Sequence, residues 1–141
     1  MSGTLNDTDR RYLEMAAKLS CGYLEDGRRW PFGAVVVADG GIATLYSSSE
    51  PCPMCLAACY WARLGRVVFA ATTHDVAANG LSDLAVYEQL RLPAESRSLP
   101  EVADGNGLRE QAVAALRDWA GRQSPNAPHA VGPKSRNSVI R

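Results

Sequence analysis

No excess charge of either sign marks this sequence. Its 15 basic and 15 acidic residues cancel, so no overall field gathers nucleic acid or an anionic membrane, and a polyanionic partner would need a local patch. No run approaches the roughly 18 continuous apolar residues of a membrane-spanning helix. Residues 1–11 are polar and charged, without the basic stretch and apolar run of a secretory leader. These absences lead us to expect a cytoplasmic protein with neither a membrane nor a nucleic-acid partner. Histidine is scarce as well: His74 and His129 are the only two, which confines any imidazole chemistry to two places. Four cysteines without a secretory leader point to thiols or metal ligands rather than to a disulfide framework.

What is present suits one compact domain. A chain of 141 residues, 46% of them hydrophobic, can bury a genuine core, and a second full domain would not fit. Tyr12, Ala16, Leu19 and Tyr23 recur at steps of three and four behind Asp7 or Thr8 as an N-cap, predicting an amphipathic helix over 7–23. A basic loop over 27–33 leads to a valine-rich strand over 34–38. Asp39, Gly40 and Gly41 then offer turn chemistry before a second strand over 42–47, so the pair reads as a hairpin. Pro51 fits the first position of a helix that runs from Cys52 to Leu64, where Gly65 can end it, and a third strand follows over 67–70. This strand, helix, strand unit puts residues 46–51 at the carboxyl edge of a sheet, where open α/β sheets bind ligands. A polar loop over 72–83 and helices over 84–92 and 108–120 complete the folded part, residues 1–121. Residues 122–141 carry three prolines, four basic residues and no acid, and are expected to form a flexible tail.

The segment Ser-Ser-Glu-Pro-Cys-Pro-Met-Cys, residues 48–55, carries the chemistry. Cys52 and Cys55 stand three residues apart in the first turn of the predicted helix, so both sulfurs project from one face and can share one metal at about 2.3 Å each. Unpaired amides and the helix dipole there favour the thiolate form that zinc binds. Two other readings of the same spacing stay open: small core residues, and a redox pair of the Cys-x-x-Cys kind.

Around that segment, Trp30-Pro31-Phe32-Gly33-Ala34-Val35-Val36-Val37, residues 45–55, and Leu56-Ala57-Ala58-Cys59-Tyr60-Trp61-Ala62-Arg63 stand as consecutive landmarks. Together with Ala70-Ala71-Thr72-Thr73-His74-Asp75-Val76-Ala77-Ala78-Asn79-Gly80, they resemble the cytidine-deaminase-fold zinc aminohydrolases, on the branch of the bacterial guanine and nucleoside deaminases. The resemblance implies an α/β, three-layer cytidine-deaminase-like fold, with a mixed central β-sheet flanked by helices. It implies zinc-dependent hydrolytic deamination of a nucleobase or nucleoside, with a guanine-like purine favoured, hence a role in purine metabolism and commonly a homodimer. By the same match Cys52 and Cys55 are the zinc thiolates, Asp75 reads the base's N–H groups and Phe32 walls the base. A solvated Asp75 capping the next turn, and a Phe32 in the core, remain equally open.

In one respect the sequence departs from the family. The family's third zinc ligand and its proton-carrying Glu lie on a His-Ala-Glu segment between the first strand and the Leu-Tyr-Ser-Ser strand. Here only two glycines separate Asp39 from Ile42, and neither His74 nor His129 has a Glu two residues later. No catalytic residue is therefore identified. His74 is read as a surface residue, Glu50 as a helix-terminus residue, and Cys59 as packing. Deleting a helix exposes one sheet face at about 25 cal/mol per Å² of apolar area. The preferred reading is therefore that a segment belongs at this junction, and an open groove beside Cys52 and Cys55 would be its mark. Three functions follow in order: a nucleobase deaminase, a deaminase-fold binding or assembly protein without activity, and a thiol-redox protein.

Overall fold

A computed structural model describes residues 4–25, 27–28, 30–39, 42–81, 83–105 and 107–122. The expected tail, from residue 123 onward, and the turn residues Gly40 and Gly41 lie outside the described residues. The described part falls into two units, one running through Glu88 and the other from Gln89.

Three strands form the sheet of the first unit, in the order β1 (Ala34–Asp39), β2 (Ile42–Ser49), β3 (Arg66–Ala71). The first pair is antiparallel with Asp39 opposite Ile42, the hairpin that the Asp-Gly-Gly turn predicts. The second pair is parallel, with Leu45 opposite Val67, because the chain returns through a helix. The sheet is thus mixed and flanked by helices, the α/β arrangement expected from the sequence.

Strand alternation separates the residues of β2. Tyr46 is buried under the first helix, α1 (Asp7–Ser20), which lies against all three strands; its ring centroid is 5.2 Å from that of Tyr12. Leu45, Ser47 and Ser49 point the opposite way, toward the side of the second helix, α2 (Pro53–Trp61). That side is thinly covered: Val36, the partner of Leu45 on β1, keeps 60% of its surface in solvent and Phe69 keeps 38%. The buried apolar residues, Ala16, Tyr46, Val68, Val76 and Cys59, include no large side chain that is fully enclosed.

Several local expectations need correction. The N-cap of α1 is Asn6, whose side chain accepts from the Asp9 amide at 2.8 Å while Asp9 reaches back to the Asn6 amide; neither Asp7 nor Thr8 caps it. Its α-helical part stops at Ser20, and Cys21–Leu24 continue as a 3₁₀ turn. Pro53, not Pro51, takes the first helical position of α2, and Cys52 is its N-cap. The stretch expected to be a polar loop contains a short helix, α3 (Thr73–Ala78), capped reciprocally by Thr72 and Asp75. A further helix, α4 (Asp83–Arg91), follows where one was expected. The second unit holds α5 (Leu108–Arg122), an exposed helix close to its predicted bounds.

Gly33 sets how closely the loop before β1 approaches α1. A Cβ there would lie 2.2 Å from the Ala16 carbonyl oxygen and 2.5 Å from the Ser20 amide nitrogen, so only glycine fits. The Gly33 amide and carbonyl bond to Ser48, donating to its hydroxyl at 3.0 Å and accepting from its amide at 2.8 Å. The loop carrying Phe32 is thereby fixed to the strand that leads to Cys52.

Candidate functional site

At the carboxyl end of β2 the chain turns through Glu50 and Pro51 into α2. Cys52 has extended backbone angles, φ −62° and ψ 164°, which leave its sulfur over the helix end, where it accepts from the Cys55 amide at 3.5 Å. The cysteine does here what a Ser or Asp usually does at an N-cap, while Pro53 supplies a preset φ and needs no amide partner.

A groove of about 430 Å³ opens beside this turn. Its sheet wall is Ala34, Leu45, Ser47 and Ser49; its helix wall is Cys52, Cys55, Ala58 and Cys59; Phe32, Glu50 and Asp83 lie at its margins. It occupies the place expected for an open groove beside the two thiols, and it is bounded by the sheet side on which Val36 and Phe69 stay exposed.

Both thiols are accessible, Cys52 in part and Cys55 more fully, while Cys59 is buried one turn on. The Cys55 thiol is raised above the usual cysteine value, first by its hydrogen bond with Cys52 and then by burial. Burial likewise raises Cys59.

Zinc at a catalytic site needs three protein donors and an open position. Cys52 and Cys55 offer two adjacent sulfurs, yet among the described residues no group of three His, Cys, Asp or Glu side chains could hold a metal ion. His74 is exposed on α3 and does not line the groove. The residues described therefore do not make a complete zinc site.

The structure brings Phe32 to the thiol groove but places Asp75 at a neighbouring cavity of about 260 Å³, which Phe32 and Ser49 also line. The Asp75 carboxylate accepts from the Thr72 amide at 2.8 Å and its hydroxyl at 2.7 Å. These bonds hold its pKa below the ordinary value. Glu50 follows β2, and its carboxylate accepts from the Thr73 amide at the start of α3 at 2.9 Å. Two residues near the thiols escaped the sequence reading. Asp83, at the start of α4, lines the groove, and the Tyr87 hydroxyl donates to the Pro51 carbonyl at 2.6 Å, tying α4 to the turn before Cys52. The tie is tertiary, and the only signal available was that Asp83 and Tyr87 share a face of one short helix.

No protein-family model matches the chain. It is similar to guanine deaminase from Bacillus subtilis (strain 168), with 33% identity over 126 residues, taking in 63% of this chain and 81% of the relative. Since 63% of 141 residues falls far short of 126, part of the relative's aligned stretch faces no residue here. The fold is similar to the X-ray structure of guanine deaminase from Bacillus subtilis, with a TM-score of 0.71 and 29% identity over 85% of this chain and 99% of that one.

Proposed function

Because the chain belongs to the guanine deaminase family of the cytidine-deaminase fold, we propose that it binds a guanine-like purine base in the groove beside Cys52. Its described residues, on this reading, do not complete hydrolytic deamination. The observation that carries the reading is the meeting of Phe32, Glu50, Cys52 and Cys55 around one 430 Å³ groove. That space suits a small planar ligand. Phe32 offers an apolar face to the ring, and Asp75, ionised beside the same phenylalanine, offers an acceptor for N–H donors.

Cys52 and Cys55 stand at the positions of the family's two zinc thiolates. In a complete site zinc would supply an activated water. The described donors end at two, and neither groove carboxylate stands in a family His-Ala-Glu segment: Glu50 accepts from the Thr73 amide at the start of α3, and Asp83 begins α4. The two-residue link between Asp39 and Ile42, and the shortfall of this chain in its alignment, both fit the loss of the His-Ala-Glu segment. Zinc dependence and turnover are therefore expected of the family's complete site rather than of these residues. A cytoplasmic homodimer is part of the same reading; among the described residues no helix is long and apolar enough to cross a membrane.

The test is calorimetric titration of the chain with guanine, with cytosine as comparison. Guanine should bind more tightly, and Phe32→Ala should weaken it about tenfold, the effect of losing roughly 1–3 kcal/mol of stacking. Equal and negligible heats for both bases would remove the proposal.

A further inference from the structure

Two accessible thiols stand at the first turn of α2, short of a third metal donor among the described residues. We propose that in the metal-free chain Cys52 and Cys55 form a reversible intrachain disulfide, so that this turn is a site of thiol–disulfide exchange with low-molecular-weight disulfides such as oxidised glutathione. The inference stands apart from base binding and does not depend on it.

The geometry carries it. Residues three apart on a helix have Cβ atoms about 5–6 Å apart, whereas a disulfide asks for about 3.5–4.5 Å between Cβ atoms and 4.4–6.8 Å between Cα atoms. Inside a regular helix that mismatch is hard to close. Cys52 is not inside the helix: it is the N-cap, in extended conformation, and its sulfur already lies over the helix end within 3.5 Å of the Cys55 amide nitrogen. At a cap position the side chain can turn toward Cys55 without the constraints of the helix body.

Access and surroundings point the same way. Cys52 is partly exposed and Cys55 exposed, so a small disulfide can reach either. Cys59 faces the same groove but is buried and lies in the helix body, four residues from Cys55, without that freedom. Cys21, exposed on the 3₁₀ turn after α1, lines neither cavity that involves Phe32.

The exchange balances. One protein thiolate attacks a sulfur of the oxidant; that disulfide breaks, one small thiolate leaves, and a mixed disulfide forms. The second protein thiol gives its proton to water and attacks the protein sulfur of the mixed disulfide, expelling the second small thiolate. Two protein thiols are oxidised and the oxidant's disulfide is reduced to two thiols. Zinc held on the same sulfurs would compete.

The full chain, freed of metal by a chelator, would be equilibrated across reduced and oxidised glutathione mixtures, then alkylated and peptide-mapped by mass spectrometry. The expected result is loss of two of the four alkylatable cysteines, mapping to a bond between Cys52 and Cys55 and reversed by reduced glutathione. Cys52→Ser and Cys55→Ser should abolish the bond, and Cys21→Ser and Cys59→Ala should keep it. The wild-type map stands even if a variant fails to fold, which circular dichroism would report. All four thiols remaining alkylatable, a bond to another cysteine, or a glutathione adduct that does not resolve would each overturn the proposal.

Discussion

Arg66, the first residue of β3, grips Asp9 in the first turn of α1 through both terminal guanidinium nitrogens, at 2.7 and 3.0 Å. The carboxylate is buried and also accepts from the Tyr46 hydroxyl at 2.8 Å, so one side chain joins a helix to two strands. Its bidentate bonding to Arg66 is the strong form of such a pair. Loss of one partner leaves the other without compensation.

Asp9→Asn should therefore lower the thermal midpoint more than the control Asp7→Asn, whose side chain is exposed in the same turn. The hydrogen bonds from Arg66, then Tyr46, hold the Asp9 pKa below its ordinary value. Its stabilisation is accordingly present above the unfolded-state value near 3.9 and lost as pH falls through the lower folded value. Midpoints measured from neutral pH to about pH 2 should fall less steeply for Asp9→Asn than for wild type. Parallel curves would contradict this.

Gly33→Ala should destabilise the chain by about 1–3 kcal/mol, because its methyl group would meet backbone atoms of α1 that cannot yield as a flexible side chain would. Urea unfolding measures it. A change within about 0.5 kcal/mol would mean that the loop can lift from α1 without cost.

Val36 and Val68 should differ in how much a substitution costs. Val68, 6% exposed, should lose about 2 kcal/mol on change to Ala, whereas Val36, 60% exposed on the open sheet side, should tolerate Thr within about 0.5 kcal/mol. A large loss at Val36, measured in the same denaturant series, would mean that the sheet side is covered in solution.

The strands and the site of the thiols were legible because their signals are local. Three consecutive valines before Asp-Gly-Gly mark β1, and Pro-Cys-Pro-Met-Cys announces a helix start around two sulfurs. The cap of α1 was misread because Asn6, Asp7 and Thr8 are all good caps, and only the reach of Asp9 back to the Asn6 amide decides among them. With six residues, α3 is too short to show a period, and its one signal was the spacing of Thr72 and Asp75. That Asp83 lines the groove while Asp75 lines the cavity beside it follows from tertiary placement, which spacing along a chain does not encode.

Ammonia release from guanine, with zinc supplied at one equivalent per chain, tests the central claim most directly. A chain whose described residues offer two thiols and no His-Ala-Glu segment should release no ammonia above a zinc-and-buffer blank, since general acid and base help alone is worth about 10²- to 10⁴-fold. Release at ordinary enzyme rates, about 1–10³ per second, abolished by Cys52→Ser, would contradict the account and show that other residues of this chain complete the hydrolytic site.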